Sequence, residues 1–297
     1  MERGGRPPWG SRWGAPSNAR EHVIKTTGSH YPEHTTRACI AEVACITIAA
    51  QTVRAWRMSI FSQLIRSVRA RVLYGSSEDL HRESAEILAE PDIKTRFERI
   101  YTQRIWSRST DSPETASGKG SNRVATAEFV EDFTEFLKCR PNAILFDAPC
   151  GDFYFMRQVQ LPPGLRYLGG DIAPSLVNDL RQKYPQRDFI QFDLTRDAFP
   201  ACDIWLCRHC LFHLSFSDIR KTLLNFARSN CETALITNET MVGKNRDIVT
   251  GDYRPLDLTL PPINLPPPSE TLRDYSARRH PAVTGIWTRQ QIADAMH

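Results

Sequence analysis

From Ala143 onward, short apolar runs and helical segments alternate with a regularity that leaves few folds open. AILFD reads as a strand, FMRQVQL as a short helix and LRYLGGD as a second strand. APSLVNDLRQKY follows as a helix, with Pro174 near its first turn and Leu176, Val177, Leu180 and Tyr184 along one side. DFIQFD and CDIWLCR then read as strands, SFSDIRKTLLNFARS as a helix opened by Ser215 with Asp218 close to a capping-box position, and TALITN as a further strand. This order predicts an α/β domain with a mostly parallel central sheet and helices on both faces. Ligands of such sheets bind beyond the carboxyl ends of the strands. The expected ends carry Asp147, Asp171, Asp193 and the pair Cys207-Arg208. One strand-end Asp is ordinarily a cap or turn residue; three in succession at matching positions point to a site.

The segments before Ala143 are less regular. VATAEFVEDFTEFLK places Phe129, Val130, Phe133, Phe136 and Leu137 on one stripe, so a helix is expected there, fed by the Gly/Ser loop SGKGSNR. That loop lacks a full phosphate-loop pattern and reads as a cover over a cofactor or as plain linker. MSIFSQLIRSVRARVL repeats Ile60, Leu64, Val68 and Val72 four apart, with arginines opposite, as an amphipathic helix does. The chain thus divides into a basic, irregular extension over 1–57, a helical lead-in over 58–94 and the α/β domain over 95–297. PLDLTLPPINLPPPSE is too rich in proline for a helix or a central strand.

Charge narrows the partners. Residues 1–75 hold 11 Lys+Arg against 4 Asp+Glu, and the remainder 27 against 30. The expected domain is near neutral, which disfavours nucleic acid, whose readers carry a basic face. No apolar stretch approaches the ~20 residues of a membrane span. The eight cysteines are scattered, several within apolar runs, which suits buried reduced thiols and a cytoplasmic setting. The Arg-rich start leaves import into an organelle as an alternative, against which Glu2, Glu21 and Glu33 count.

After the first strand, a dinucleotide fold would show G-x-G-x-x-G. This chain has Asp147-Ala148-Pro149-Cys150-Gly151-Asp152, one glycine with two carboxylates, which suits a ligand bearing positive charge and hydroxyls rather than a pyrophosphate. The run resembles the first motif of the Rossmann-like (class I) S-adenosylmethionine (SAM) dependent methyltransferases, in a D-x-P-C-G-D form. YLGGDI and FIQFDL are similar to that family's second and third motifs, and LCRHCLFHLSFSDI to the segment after the fourth strand in a subgroup of unknown acceptor. Phe97, Ile100, Tyr101, Trp106, Ser117, Gly118, Gly120 and Ser121 match the subgroup's lead-in, and Asn245 to Leu256 match its N-x-D-I-x-T-G-x-x-R-P-L stretch. The likeness spans roughly residues 95–290. Pro149 stands where the wider family has glycine, a change the subgroup shares.

The resemblance implies a Rossmann-like methyltransferase fold, SAM as cofactor, and methyl transfer to an acceptor. Gly151 would admit the cofactor closely, with Pro149, Cys150, Asp147 and Asp152 near its amino-acid end. Asp171, with Ile172 beside it, would accept from the ribose hydroxyls, and Asp193 with Leu194 would border the adenine. Arg208 is a candidate for cofactor or for an acceptor anion. His213 and His209 are candidate bases, each also readable as a structural histidine, since imidazole titrates near neutrality. Trp106, Arg254 and Asn264 are candidate acceptor contacts, the last two from the proline-rich insert. Cys207-x-x-Cys210 with these histidines lacks a second half-site, so no metal is expected. The acceptor is expected to be a small molecule or a glycan hydroxyl. The alternatives are an RNA or protein methyltransferase docking through the basic N-terminal region, and a catalytically silent binding module.

Overall fold

The structure, a computed structural model, describes residues 77–110 and 112–297. The basic extension over 1–57 and the amphipathic helix over 58–73 lie outside the described residues. Among the described residues three helices come first: α1 (Ser77–Leu88), α2 (Ile93–Thr102) and α3 (Ile105–Thr110). Asp92 caps α2 by accepting from Thr95 N at 2.8 Å. α4 (Arg123–Lys138) begins at Asn122, whose side chain accepts from Ala125 N. It buries the expected stripe through Phe129, Phe133, Phe136 and Leu137.

The alternating part gives β1 (Ile144–Asp147), β2 (Arg166–Asp171), α5 (Pro174–Lys183), β3 (Asp188–Gln191), β4 (Ile204–Cys207), α6 (Phe216–Ala227) and β5 (Thr233–Glu239). β6 (Glu270–Arg273), β7 (Ala282–Thr288) and α7 (Arg289–Met296) complete the chain. The sheet runs β3-β2-β1-β4-β5-β7-β6. Its first five strands are parallel, and β7 pairs antiparallel with both β5 and β6. This is the Rossmann-like methyltransferase fold. The β6–β7 hairpin lies beyond the segments whose alternation predicts strands.

Both faces of the sheet are covered, which is why its strands are apolar on both sides. Phe146, Trp205, Ala234 and Ile236 join one core, with Phe226 of α6 and Trp287 of β7. Their neighbours Leu145, Leu206 and Leu235 face the other core, with Phe129 and Phe133 of α4 and Leu180 of α5. Ile87 of α1 and Phe97 of α2 belong to the first core, so these helices pack on the α/β body.

Two expectations change. FMRQVQL forms only a single 3-10 turn over Met156–Gln158, because Pro162 and Pro163 follow at once and a longer helix has no room. β3 ends at Gln191, two residues before Asp193; Phe192 N still bonds Asp171 O at 2.8 Å, after which Asp193 folds the chain into a turn of its own.

Candidate active site

The strand order reverses between β1 and β4, and there the carboxyl ends open on a cavity of about 470 Å³. On the β1–β3 side it is lined by Pro149, Cys150, Gly151 and Asp152, by Asp171 and Ile172, and by Phe192 to Thr195. α2 adds Ile93, Phe97 and Tyr101, and the loop 117–121 adds all five of its residues. On the β4 side stand Arg208, His209 and Cys210, then Phe212, His213 and Leu214, with Trp106, Tyr253, Tyr275 and Arg278.

The β1 loop turns at Gly151, whose φ of +54° is a left-handed conformation. A Cβ there would stand 2.6 Å from Ser117 Oγ, so glycine is required both by conformation and by space. Asp171 locks the turn: its Oδ2 accepts from Gly151 N and its Oδ1 from Ala173 N, both at 3.1 Å. Burial pushes the Asp171 carboxyl up to about 6, against the backbone N–H groups that favour its charge. Each oxygen keeps a lone pair for a further donor.

Asp152 is committed to the cover loop. It accepts from Thr115 Oγ1 (2.8 Å), Ala116 N (2.6 Å) and Ser117 Oγ (3.1 Å). Arg208 holds the other end of that loop through Nη1 to Gly120 O at 3.0 Å. Asp193 spends its carboxylate on its own turn, accepting from Thr195 N and Oγ1 and pairing with Arg196, while Asp193 and Leu194 still line the cavity.

Four assignments need correction. Asp147 is wholly buried and does not line the cavity. Its Oδ2 accepts from Tyr167 Oη at 2.8 Å, its Oδ1 has no partner, and burial pushes the carboxyl up to about 7. Arg208 is no free cation for an acceptor anion: it pairs with the buried Asp274 at 2.5 Å and lies over Phe129 and Phe155. Arg254 is 2% exposed and outside the cavity, bonded to Leu211 O at 3.0 Å and near the Phe216 ring. Asn264 is exposed, at φ 55°, and lies outside the cavity. Of the insert 241–270, Tyr253 alone reaches the lining.

The two histidines separate cleanly. His209 takes φ 52°, and its Nε2 faces Asp274 Oδ1 across 3.4 Å without forming a hydrogen bond. Its Nδ1 fills the space a Gly120 Cβ would need, 2.2 Å from that position. His209 is thus held between Gly120 and Asp274 while still lining the cavity. His213 comes from the 3-10 turn Leu211–His213, stacks on Trp106 at 4.6 Å, and places Nδ1 at 2.7 Å from Asp252 O. A carbonyl only accepts, so Nδ1 carries the proton and Nε2 keeps its lone pair. Burial pushes both imidazoles down to about 4, so each is neutral at pH 7.

Burial alone would raise the Asp274 carboxyl, but the Arg208 guanidinium beside it holds it well below the usual carboxylate range. It also accepts from Tyr275 N (2.7 Å) and Thr284 Oγ1 (2.8 Å). No group of three His, Cys, Asp or Glu side chains placed to hold a metal ion occurs among the described residues. No described helix is long and apolar enough to cross a membrane.

An open α/β sheet with a cavity at its switch point, floored by a glycine turn and a strand-end carboxylate, defines a Rossmann-like small-ligand fold. No family model matches the chain, and no curated protein sequence matches it. Among solved structures it is similar to human N-acetylserotonin methyltransferase in complex with SAM, at 15% identity over 70% of this chain and 64% of that one, with a TM-score of 0.46. It is also similar to magnesium protoporphyrin IX methyltransferase (ChlM) from Synechocystis PCC 6803 with bound SAM (17% identity, 68% and 99% of the two chains, TM-score 0.45). A third is the N-methyltransferase NodS from Bradyrhizobium japonicum WM9 (12% identity, 57% and 98%, TM-score 0.42). The chain thus spans just under two thirds of the human enzyme's length.

Proposed function

We propose that the chain is a SAM-dependent methyltransferase that holds SAM across the carboxyl ends of β1–β3 and serves a small-molecule or glycan acceptor on the β4 side. The observation that carries the reading is Asp171: a buried carboxylate at the end of β2, lining the cavity, fixed against the Gly151 turn, with lone pairs left for ribose hydroxyls. The carboxylates of Asp152 and Asp171 on the lining suit a cationic, hydroxylated ligand better than a pyrophosphate. Phe192, Asp193 and Leu194 would border the adenine, and Pro149, Cys150 and Gly151 the amino-acid end. Bound SAM supplies a methyl group on a positively charged sulfur.

The protein's share is positioning, which can contribute roughly 7–11 kcal/mol to such a displacement. Asp152 and Arg208 pin the loop 115–121 at its two ends, so the lining is set before a ligand arrives. Titration calorimetry with SAM tests the reading. Saturable one-site binding is expected; no heat and no displacement by S-adenosylhomocysteine would refute it. The excess of 11 basic over 4 acidic residues in 1–75 favours a second reading, an RNA- or protein-docking arm. Salt-dependent binding to RNA that disappears when residues 1–75 are removed would support it.

A further inference from the structure

The β4 side of the cavity holds polar chemistry that SAM binding does not use. We infer that it is a subsite for an uncharged, hydroxylated ring such as a sugar, with His213 Nε2 as the base that takes the proton from the methylated hydroxyl. This rests on the methyltransferase reading above.

Three observations converge. The first is the tautomer. Nδ1–H of His213 is spent on Asp252 O at 2.7 Å, while Nε2 makes no hydrogen bond to the described residues and His213 lines the cavity. Trp106, stacked at 4.6 Å and 24°, and Phe212, edge-on at 4.7 Å, fix the ring plane. An acceptor with a proton to lose therefore meets a preset lone pair. The ring's low pKa keeps it in that form at neutral pH.

The second observation is charge. Both arginines on this side are paired within the protein, Arg208 with Asp274 and Arg278 with Glu239, each at 2.5 Å. Lys119, the remaining cation of the lining, is exposed on the cover loop. With both arginines neutralised, neither is free to select a carboxylate or a phosphate. It does have hydrogen-bonding groups: Arg278 engages Glu239 and Tyr253 through Nη2, which leaves its other N–H groups for hydroxyl oxygens.

The third is shape. Tyr253 is 43% exposed and Tyr275 is half-buried beside it, with the Arg278 guanidinium within 6 Å of both rings. Trp106 already has one face covered by His213, so that face is not free to stack on a flat aromatic acceptor. A one-sided platform edged by hydrogen-bonding groups fits the apolar face and hydroxyl edge of a saturated ring.

As the acceptor oxygen bonds the methyl carbon, its proton passes to Nε2, the carbon–sulfur electron pair stays on sulfur, and the imidazolium later gives its proton to water. The test uses the full chain with labelled SAM and a probe panel: methyl glucoside, methyl galactoside and maltose as uncharged rings, 4-hydroxybenzoate as an anion and tyramine as a cation. Label on an uncharged ring is expected. His213→Ala should cut the rate by about 100-fold or more, with added imidazole restoring part of it and SAM affinity unchanged by calorimetry. Independently of turnover, saturation-transfer NMR should show glycoside binding, and ¹⁵N shifts should report Nε2 unprotonated. Label on the charged probes alone, glycosides that neither bind nor react, a His213→Ala rate within threefold of wild type, or a protonated Nε2 in the neutral ring would each overturn the inference. Failure of SAM to bind would instead remove the reading beneath it.

Discussion

Asp147→Asn offers a sharp test of how the sheet's rim is built. Asp147 is wholly buried, its Oδ1 lacks a partner, and its carboxyl sits at about 7 against an ordinary 3.8. Its folded pKa is raised, so folding takes up a proton between those values: the native state binds more protons than the unfolded chain, and stability falls as pH rises through the window. The shift of roughly three units, at 1.36 kcal/mol each, corresponds to about 4 kcal/mol lost in full above pH 7 and absent below pH 4. Asparagine has no charge to bury. Its Oδ1 can accept from Tyr167 while its Nδ2 takes the unpartnered position, an unsatisfied donor costing about 1–3 kcal/mol at every pH.

The variant should therefore be the less stable protein near pH 4 and gain on wild type by about 4 kcal/mol between pH 4 and pH 8. Urea unfolding followed by tryptophan fluorescence at pH 4.5, 6 and 8 measures this. Asp171, raised to about 6 by its own burial, titrates in both proteins and cancels to first order. A stability difference that stays flat across the series, or moves the other way, would show that Asp147 is hydrated or paired and that the rim is not as dry as described.

Other expectations concern the cavity itself. Asp171→Ala should weaken SAM binding by about 100-fold, since two hydroxyl bonds to a carboxylate carry about 3 kcal/mol; calorimetry within threefold of wild type would contradict its placement. Gly120→Ala would set a Cβ 2.2 Å from His209 Nδ1, so the cover loop should shift and SAM affinity fall while the thermal midpoint changes little; unchanged affinity would free the loop from any role in binding. Asp274→Asn leaves Arg208 buried and unpaired, and chemical denaturation should show a loss of about 3–5 kcal/mol.

How much of this was legible beforehand follows from the range of each interaction. The strand ends at Asp147 and Asp171, and the Gly151 turn between them, are local: alternation, one glycine and the onset of the next helix mark them. The same cues could not tell which acids face the cavity, because Asp147 and Asp171 both end strands and only the latter lines it. His209 and His213 sit on one short segment and read alike; what separates them is Asp274 facing one ring and Asp252 O, 39 residues on, binding the other. Arg254 and Asn264 looked like a polar acceptor wall because proline marks the insert without saying which side turns inward. Arg278 carries no such signal for the converse reason: SARRH has the composition of a solvated loop, and Arg278 becomes part of the site only through Glu239 at the end of β5. The side proposed for the cofactor is therefore written in the strand–loop pattern, while the side proposed for the acceptor depends on pairings between loops distant in sequence. For that reason substitutions at Tyr253 or Arg278 should alter acceptor choice while leaving SAM affinity in place, and a parallel loss of both would show that the two sides are not separate.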